Sequence, residues 1–495
     1  MSNRIPTKWL YLPVILLFIN FFYRIINQGK MLKYFPVDYN NDGSSYMAQL
    51  FFLKTCGFHN FCSYWYNGFV NFLHSPPGWY LFTLPIFNLF QIVNVATYLS
   101  MILMFIISFL IVYFLYGKIG LTRFERTVFF IFFFGNAIAI GNFIKLIRVH
   151  ELFAWMNFLL FFFLIFYFKD KKIDWRYSLV IPSYAFILLS YQSVGAIASI
   201  LFLSIFLVKK GRERIYVLLS AVTPLIITSF WWIPFVLRIN EGGILGFQQA
   251  IWVWRFDTLN LYTSIFAAII PIVLFILFYI YFKQSNNKKW DLFFYLPILL
   301  LNLIFFLRLH PFIPIFGNIF PDPYLVFFIF FIIFLFFKIN FLKYKFLRFV
   351  PYILLILIII SISFNIFRTP FFVEPNSDIN KEIEFSLSNV NGSFVLLGDF
   401  GSKIHSKGIY SYAPTKYNIS TSSGWYPEVV QKDYLENLNI ADESFNKRDC
   451  GTMIKTLIIY NTTEIISLDS GCKFLNDCGL REKVKKEHVC LYSIN

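Results

Sequence analysis

The sequence predicts an all-α polytopic membrane bundle of about eleven transmembrane helices with a small extracytoplasmic α/β domain after it. Three observations predict it. Apolar runs of about 18 residues or more recur along the first three quarters of the chain. Lysine and arginine are dense in alternate loops and sparse in the others. All six cysteines fall on the sparse side.

The first observation rests on composition. Of 495 residues 58% are hydrophobic, 14% are charged and 67 are Phe, more apolar surface than a soluble core absorbs. Spans are expected near 9–26, 97–116, 127–143, 152–168, 177–192, 194–208, 215–237, 260–282, 291–307, 323–337 and 349–367. The first run follows only two positive charges, and no small-residue cleavage site comes after it. It reads as a retained span rather than a signal peptide. Only "SYQSVG" separates the pair within 177–208. "GWYLFTLPIFNLFQIVN" at 78–94 is short and interrupted by Pro85, which suits an interfacial or re-entrant piece.

The second observation sets orientation. With the N-terminus inside, segments 1–8, 117–126, 169–176, 209–214, 283–291 and 338–348 carry 20 Lys+Arg against 5 Asp+Glu. The outer segments hold 10 against 6, and the tail from 369 holds 13 against 16. The net charge of +16 is therefore a topology signal and not a nucleic-acid surface. A multi-pass protein of the cell membrane is expected, with residues 1–368 forming the membrane domain and 27–96 its first outer loop. Residues 369–495 form the outer soluble domain.

The cysteines agree without using charge. Cys56 and Cys62 lie in the first outer loop; Cys450, Cys472, Cys478 and Cys490 lie in the tail. Confinement to the oxidising face predicts disulfides, and without a paired CxxC they do not read as zinc ligands. A 56–62 bridge would close "CGFHNFC", while the four tail cysteines allow three pairings. Sequons at Asn391, Asn418 and Asn461 fall in the tail as well. There, "GSFVLLGDF" and "KTLIIYNTTEIISL" read as β-rich runs. "SGWYPE" sets Trp425 and Tyr426 beside Glu428 in a loop, either for sugar or headgroup contact or packed against the membrane domain.

The candidate chemistry gathers at the outer mouth. In "FPVDYNNDGSSYM", Asp38 and Asp42 sit among turn formers that present carboxylates instead of burying them in a helix. "SSYMAQLFFLKT" can form an amphipathic helix on the membrane. "SYWYNGFVNFLHSPPGWY" is aromatic, with Trp65 and Trp79, and its Pro76-Pro77 redirects the chain. The second outer loop, "GNFIKLIRVHELF", holds Arg148, His150 and Glu151; Arg148 and Glu151, three apart, also suit a structural ion pair. Arg238, Arg255 beside Asp257, and Arg308 mark outer span edges, where arginine either snorkels or grips phosphate. Carboxylates to take a proton and arginines to hold a phosphate leaving group are the equipment for moving a group off a lipid phosphate. No Gly-rich phosphate loop and no HExxH motif is present.

One span, a long outer loop with an early Asp, "YWYNGF", a "PP", a short acidic second loop and an outer C-terminal domain together resemble the GT-C superfamily of polytopic glycosyltransferases. The pattern is closer still to archaeal and bacterial membrane proteins named as related to 6-pyruvoyl-tetrahydropterin synthase. The resemblance implies transfer of a sugar from a polyprenyl phosphate or diphosphate donor to a glycan, lipid or protein acceptor outside the cytoplasm, with inversion. By position it makes Asp42 the general base or a metal ligand, with Asp38 as fallback, Glu151 the second acidic position, and Arg308 the lipid-phosphate arginine. Any cation would be Mg or Mn on Asp42 and Glu151. Arg148, His150, Arg255, Tyr46, Trp65 and Trp79 would line the substrate path. Tyr46 stands where the family often has His, and "SGWYPE" is not the "WWDYG" signature of oligosaccharyltransferases. Two other readings stay open: an inactive scaffold or glycan-binding member of the same fold, and a transporter or flippase, against which stands the scarcity of charge inside spans. The richness in Phe, Ile, Lys and Asn suits an A+T-rich, archaeal genome.

Overall fold

The computed structural model describes residues 8–37, 41–238, 261–313, 316, 319–341, 349–369, 371–374, 377–398, 400, 406–427 and 430–494. Their residues divide into two compact units. One draws on Met1–Gln28, Met101–Phe230 and Gly246–Phe371, the other on Gly29–Ser100, Trp231–Leu245 and Phe372–Asn495, counting the described residues of each.

The first unit is helical because its backbone has no water to bond to, and a helix satisfies its own amides. Among the described residues of the whole chain, six helices are long and apolar enough to cross a bilayer: Leu10–Leu32, Val93–Ile119, Val149–Lys169, Ala267–Gln284, Lys288–Phe306 and Pro321–Lys338. Two broken pairs, Arg123–Phe134 with Ala137–Lys145 and Arg212–Ile227 with Ser229–Leu237, bring the number to eight if each is one span. Val149–Lys169 and Pro321–Lys338 are the central helices, 83% and 78% buried, whereas Ala267–Gln284 is only 17% buried.

Aromatic edges hold the centre together. Phe330 packs its ring against Phe129, Phe133, Phe158 and Phe162, the last at 4.6 Å between centroids. In a bilayer, lipid tails are as apolar as these rings, so contact geometry decides which helices pair. Arg24 lies deep in the first span, with Lys30 near its end. Arg24, 3% exposed, donates to the backbone carbonyls of Asn365 and Thr369, with the Phe371 ring 3.9 Å from its guanidinium carbon. Those carbonyls lie at the C-terminal end of helix Val350–Arg368, where Asn365 O also accepts from the Thr369 amide, so the cation meets the negative end of a helix dipole.

The second unit combines an early segment with the tail. Helix Gly43–Thr55 is buried along almost its whole length and packs on helices Gly78–Phe90 and Ser406–Tyr417. The expected membrane-surface amphipathic helix is thus a core helix. "SSYMAQLFFL" is apolar around its circumference apart from its two serines and Gln49, and Ser45 and Gln49 find partners. Gln49 donates to Ser75 at 2.8 Å and accepts from Tyr80. Pro77 starts helix Gly78–Phe90, which with 13 residues is too short to span.

β1 (Phe61–Cys62) and β2 (Phe69–Val70) form a small antiparallel hairpin beside the Cys56–Cys62 bridge. In the tail, β3 (Phe394–Leu397), β4 (Glu464–Leu468), β5 (Arg481–Lys486) and β6 (Val489–Ser493) make one sheet in the order β3-β4-β6-β5. β3 and β4 run parallel and the other pairs antiparallel, so the tail is α/β as expected. Both faces of β3, β4 and β6 are buried under helices, one face with Ile383, Leu387 and Ile409, the other with Phe445, Leu457 and Leu475. The run 455–468 is not one strand. Its first part completes helix Cys450–Ile459, capped by Asp449 on the Thr452 amide, and the chain turns at Asn461 before β4. The tail bridges are Cys450–Cys478 and Cys472–Cys490, one of the three pairings that spacing allowed.

Candidate functional site

The candidate residues lie in both units, and each group is built from its own surroundings. In the second unit, Asp42 is half-buried at the start of helix Gly43–Thr55. The capping bond there comes from its neighbour: Asn41 Oδ1 accepts from the Ser44 amide at 3.0 Å, while Asp42 makes no side-chain cap bond. A carboxylate at the positive end of a helix sits where the dipole suits its charge. The Asp42 carbonyl accepts from Ser45 Oγ at 2.7 Å, and that hydroxyl lies 3.0 Å from Tyr426 Oη. Asp38 falls outside the described residues.

The aromatic residues around this turn are packed. Tyr46 is 7% exposed and meets the Trp79 ring edge-on. Trp79 is fully buried and donates to Ser100 Oγ at 3.2 Å. Trp65, also fully buried, donates to the Tyr410 carbonyl at 2.9 Å. Gly424 lets the "SGWYPE" loop approach it, since a Cβ there would come within 2.7 Å of the indole. Trp425 donates to the Lys407 carbonyl, and both rings, half-buried, pack against Trp65 and Val430 within the second unit. Glu428 lies outside the described residues. Asn391, Asn418 and Asn461 are all exposed.

In the first unit, the second-loop residues form a tight polar cluster at the start of helix Val149–Lys169. A break in the chain sets it up. Helix Arg123–Phe134 ends at Gly135, where a Cβ would lie 2.5 Å from the Ile131 carbonyl oxygen. Asn136 caps the next piece, which bends by 54° and runs on as a π-helical turn over Ile140–Lys145. That turn places Asn142 Nδ2 2.8 Å from Asp322 Oδ2. Arg148 reaches the same oxygen at 2.5 Å and lies 3.9 Å from Glu151 Oε2. Glu151 is fully buried, and Trp155, one turn on, donates to it at 3.1 Å. The His150 ring stands edge-on to Tyr191, 4.9 Å away, and Tyr191 is within electrostatic reach of Arg148, Glu151 and Asp322.

The i,i+3 pair expected from sequence is present, but Asp322 is Arg148's closer partner. Asp322 was missed, although a signal existed: it is among the few acids of the outer segments and sits between prolines in "FPDPY". Arg308 follows helix Lys288–Phe306 in a left-handed turn with φ 58°, half-buried. The next turn carries His310 to the Phe305 and Tyr324 rings, each 5.1 Å away, so Arg308 and Asp322 belong to the same end of this unit. Arg255 lies outside the described residues, as does Asp257.

Among the described residues no three His, Cys, Asp or Glu side chains gather. Between Glu151 and Asp322 the positive charge is supplied by Arg148 itself.

A solved structure decides what this architecture resembles. The crystal structure of an Archaeoglobus fulgidus oligosaccharyltransferase in the apo form superposes with TM-score 0.52 at 12% identity, over 94% of this chain and 70% of that one. The two share a fold. At 12% identity the likeness extends to the fold alone. No protein-family model and no curated protein matches the sequence.

Proposed function

We propose that this protein is a membrane glycosyltransferase of GT-C type that moves a sugar from a polyprenyl-phosphate-linked donor to an acceptor on the extracytoplasmic side. The observation that carries the reading is the fold shared with an oligosaccharyltransferase across nearly the whole chain. In the proposed reaction Asp42 takes the proton of an acceptor hydroxyl as its oxygen bonds to the anomeric carbon. The bond from that carbon to the phosphate oxygen breaks with inversion, and arginine, Arg308 first, holds the departing phosphate. The reading gives Glu151, with His150 before it, the second-loop acidic position. Tyr46, Trp65 and Trp79 act by fixing the segment around Asp42.

The reading keeps eleven crossings. To the six long helices and two broken pairs it adds Val180–Leu188, Gln192–Val208 and Tyr352–Phe367, apolar but shorter. It keeps a cytoplasmic N-terminus, a membrane domain of residues 1–368, an outer domain of 369–495 and glycosylation at its exposed sequons.

The test is Asp42→Asn in membranes supplied with polyprenyl-linked sugar. A general base contributes about 10²–10⁴-fold, so transfer should fall by at least about a hundredfold with donor binding retained. Unaltered transfer removes Asp42 from the mechanism. A second reading, an inactive glycan- or lipid-binding member, is favoured by one observation: Arg148 is held between Asp322 and Glu151. Donor binding without turnover by the unsubstituted protein selects it.

A further inference from the structure

Far from Glu151, helix Val149–Lys169 ends in a second charged site that the transfer reaction does not use. Glu151 and Lys169 are 18 residues apart on this helix, about 27 Å along its axis. At the Lys169 end a cavity of about 390 Å³ opens between helices, lined by Lys118, Lys169, Lys171, Lys338, Asp170 and Asp291 among others. Its size is that of a small-molecule site.

The charges divide into a closed pair and a surplus. Lys169 and Asp291, 4% and 5% exposed, form a buried ion pair, and Asp291 also accepts from Tyr281 at 3.0 Å and from Ser285. That pair neutralises itself. Asp170 is exposed and lies 3.8 Å from Lys169. Lys118 and Lys171 are exposed at the cavity and Lys338 half-exposed, so lysines outnumber carboxylates around it. Phe166, Tyr167 and Tyr281 supply an aromatic wall at the same depth. A neighbouring cavity of about 420 Å³ shares Lys169, Asp170, Lys171 and Asn287 and adds Lys209, Lys210 and Trp290. Lys210 lies over the Trp290 ring at 5.0 Å.

A basic, aromatic-walled hollow between helices, at the ends of apolar spans, matches a phosphate-bearing lipid headgroup: phosphate to the lysines, acyl chains to the bilayer. We propose that the Lys118–Lys171–Lys338 cavity is a binding site for an anionic phospholipid headgroup, separate from the outer acidic cluster. The occupant brings negative charge to this lysine-rich rim and fastens the ends of Val149–Lys169, Lys288–Phe306 and Pro321–Lys338 to the membrane surface.

The experiment uses the full chain in phosphatidylcholine nanodiscs doped with phosphatidylglycerol, with native mass spectrometry counting retained lipid. Phosphatidylglycerol should be retained about tenfold or more over phosphatidylcholine. Lys118→Glu/Lys171→Glu, both at exposed positions, should erase that preference, since each lysine at an anionic surface contributes a factor of about five. Arg176→Glu/Lys283→Glu, the same charge change outside the cavity, should keep it. Equal retention of the two lipids overturns the proposal, as does a preference that survives Lys118→Glu/Lys171→Glu. Displacement of phosphatidylglycerol by millimolar inorganic phosphate overturns the lipid assignment in favour of a soluble phosphate. None of these outcomes depends on glycosyl transfer.

Discussion

The two ends of helix Val149–Lys169 handle buried charge in opposite ways. At the Glu151 end one arginine serves two carboxylates, and Arg148 and Asp322 each keep 24% of their side chains exposed. At the Lys169 end the pair with Asp291 is closed off, with Tyr281 and Ser285 completing the hydrogen bonds of Asp291, while the exposed Asp170 stands 3.8 Å from the same lysine. An open cluster can exchange a partner for a ligand, because water and solutes reach it. A closed pair cannot, since separating it strands a charge in a low-dielectric interior. The closed end is therefore a structural clamp carrying extra lysines around it, and the open end is the one where Arg148 and Asp322 stay within reach of solutes.

The contrast can be broken most sharply at the closed end. Lys169→Met leaves Asp291 buried without its cation and should cost about 3–5 kcal/mol, read by equilibrium unfolding in mixed micelles. Lys169→Met/Asp291→Leu should recover most of that loss, because a well-packed apolar pair replaces a desolvated ionic one. A double variant no better than the single one would mean that the clamp does more than neutralise charge. At the open end Arg148→Ala should cost less, about 1–3 kcal/mol, since Asn142 and solvent still serve Asp322 and Trp155 still donates to the buried Glu151. A loss equal to that of Lys169→Met would erase the distinction between the ends.

The smallest effect lies in the tail, where the same kind of pair stands in water. His488 Nδ1 lies 2.7 Å from Asp469 Oδ1, and this partner raises the imidazole above its usual range. A raised value means that the stabilisation is complete below the ordinary histidine pKa and is lost as pH climbs through the raised one. The imidazole titration followed by NMR should therefore sit above that of a free histidine and return to it in Asp469→Asn. A titration unchanged by the substitution would show that Asp469 is not the cause.

Much of this was readable before any coordinate. The long apolar runs gave the central helices, because a bilayer forces each segment to satisfy its backbone alone. "CGFHNFC" gave its bridge because six residues leave few alternatives. Gly43–Thr55 misled, since a helix with few charges looks the same lying on a membrane or buried under helices Gly78–Phe90 and Ser406–Tyr417. The stretch 455–468 misled because short apolar runs carry no period that separates helix from strand.

By itself, then, the sequence determined what each segment must do with its own backbone and solvent: cross a bilayer, bridge a nearby cysteine, or present acids among turn formers. Tertiary structure alone decided the partners: Asp322 for Arg148 across 174 residues, Asp291 for Lys169 across 122, and Cys472 with Cys490 instead of a nearer cysteine. The physical reason is that local propensity and hydrophobic length act along the chain. A shared proton, charge or bridge depends on distances that exist only once the chain has packed.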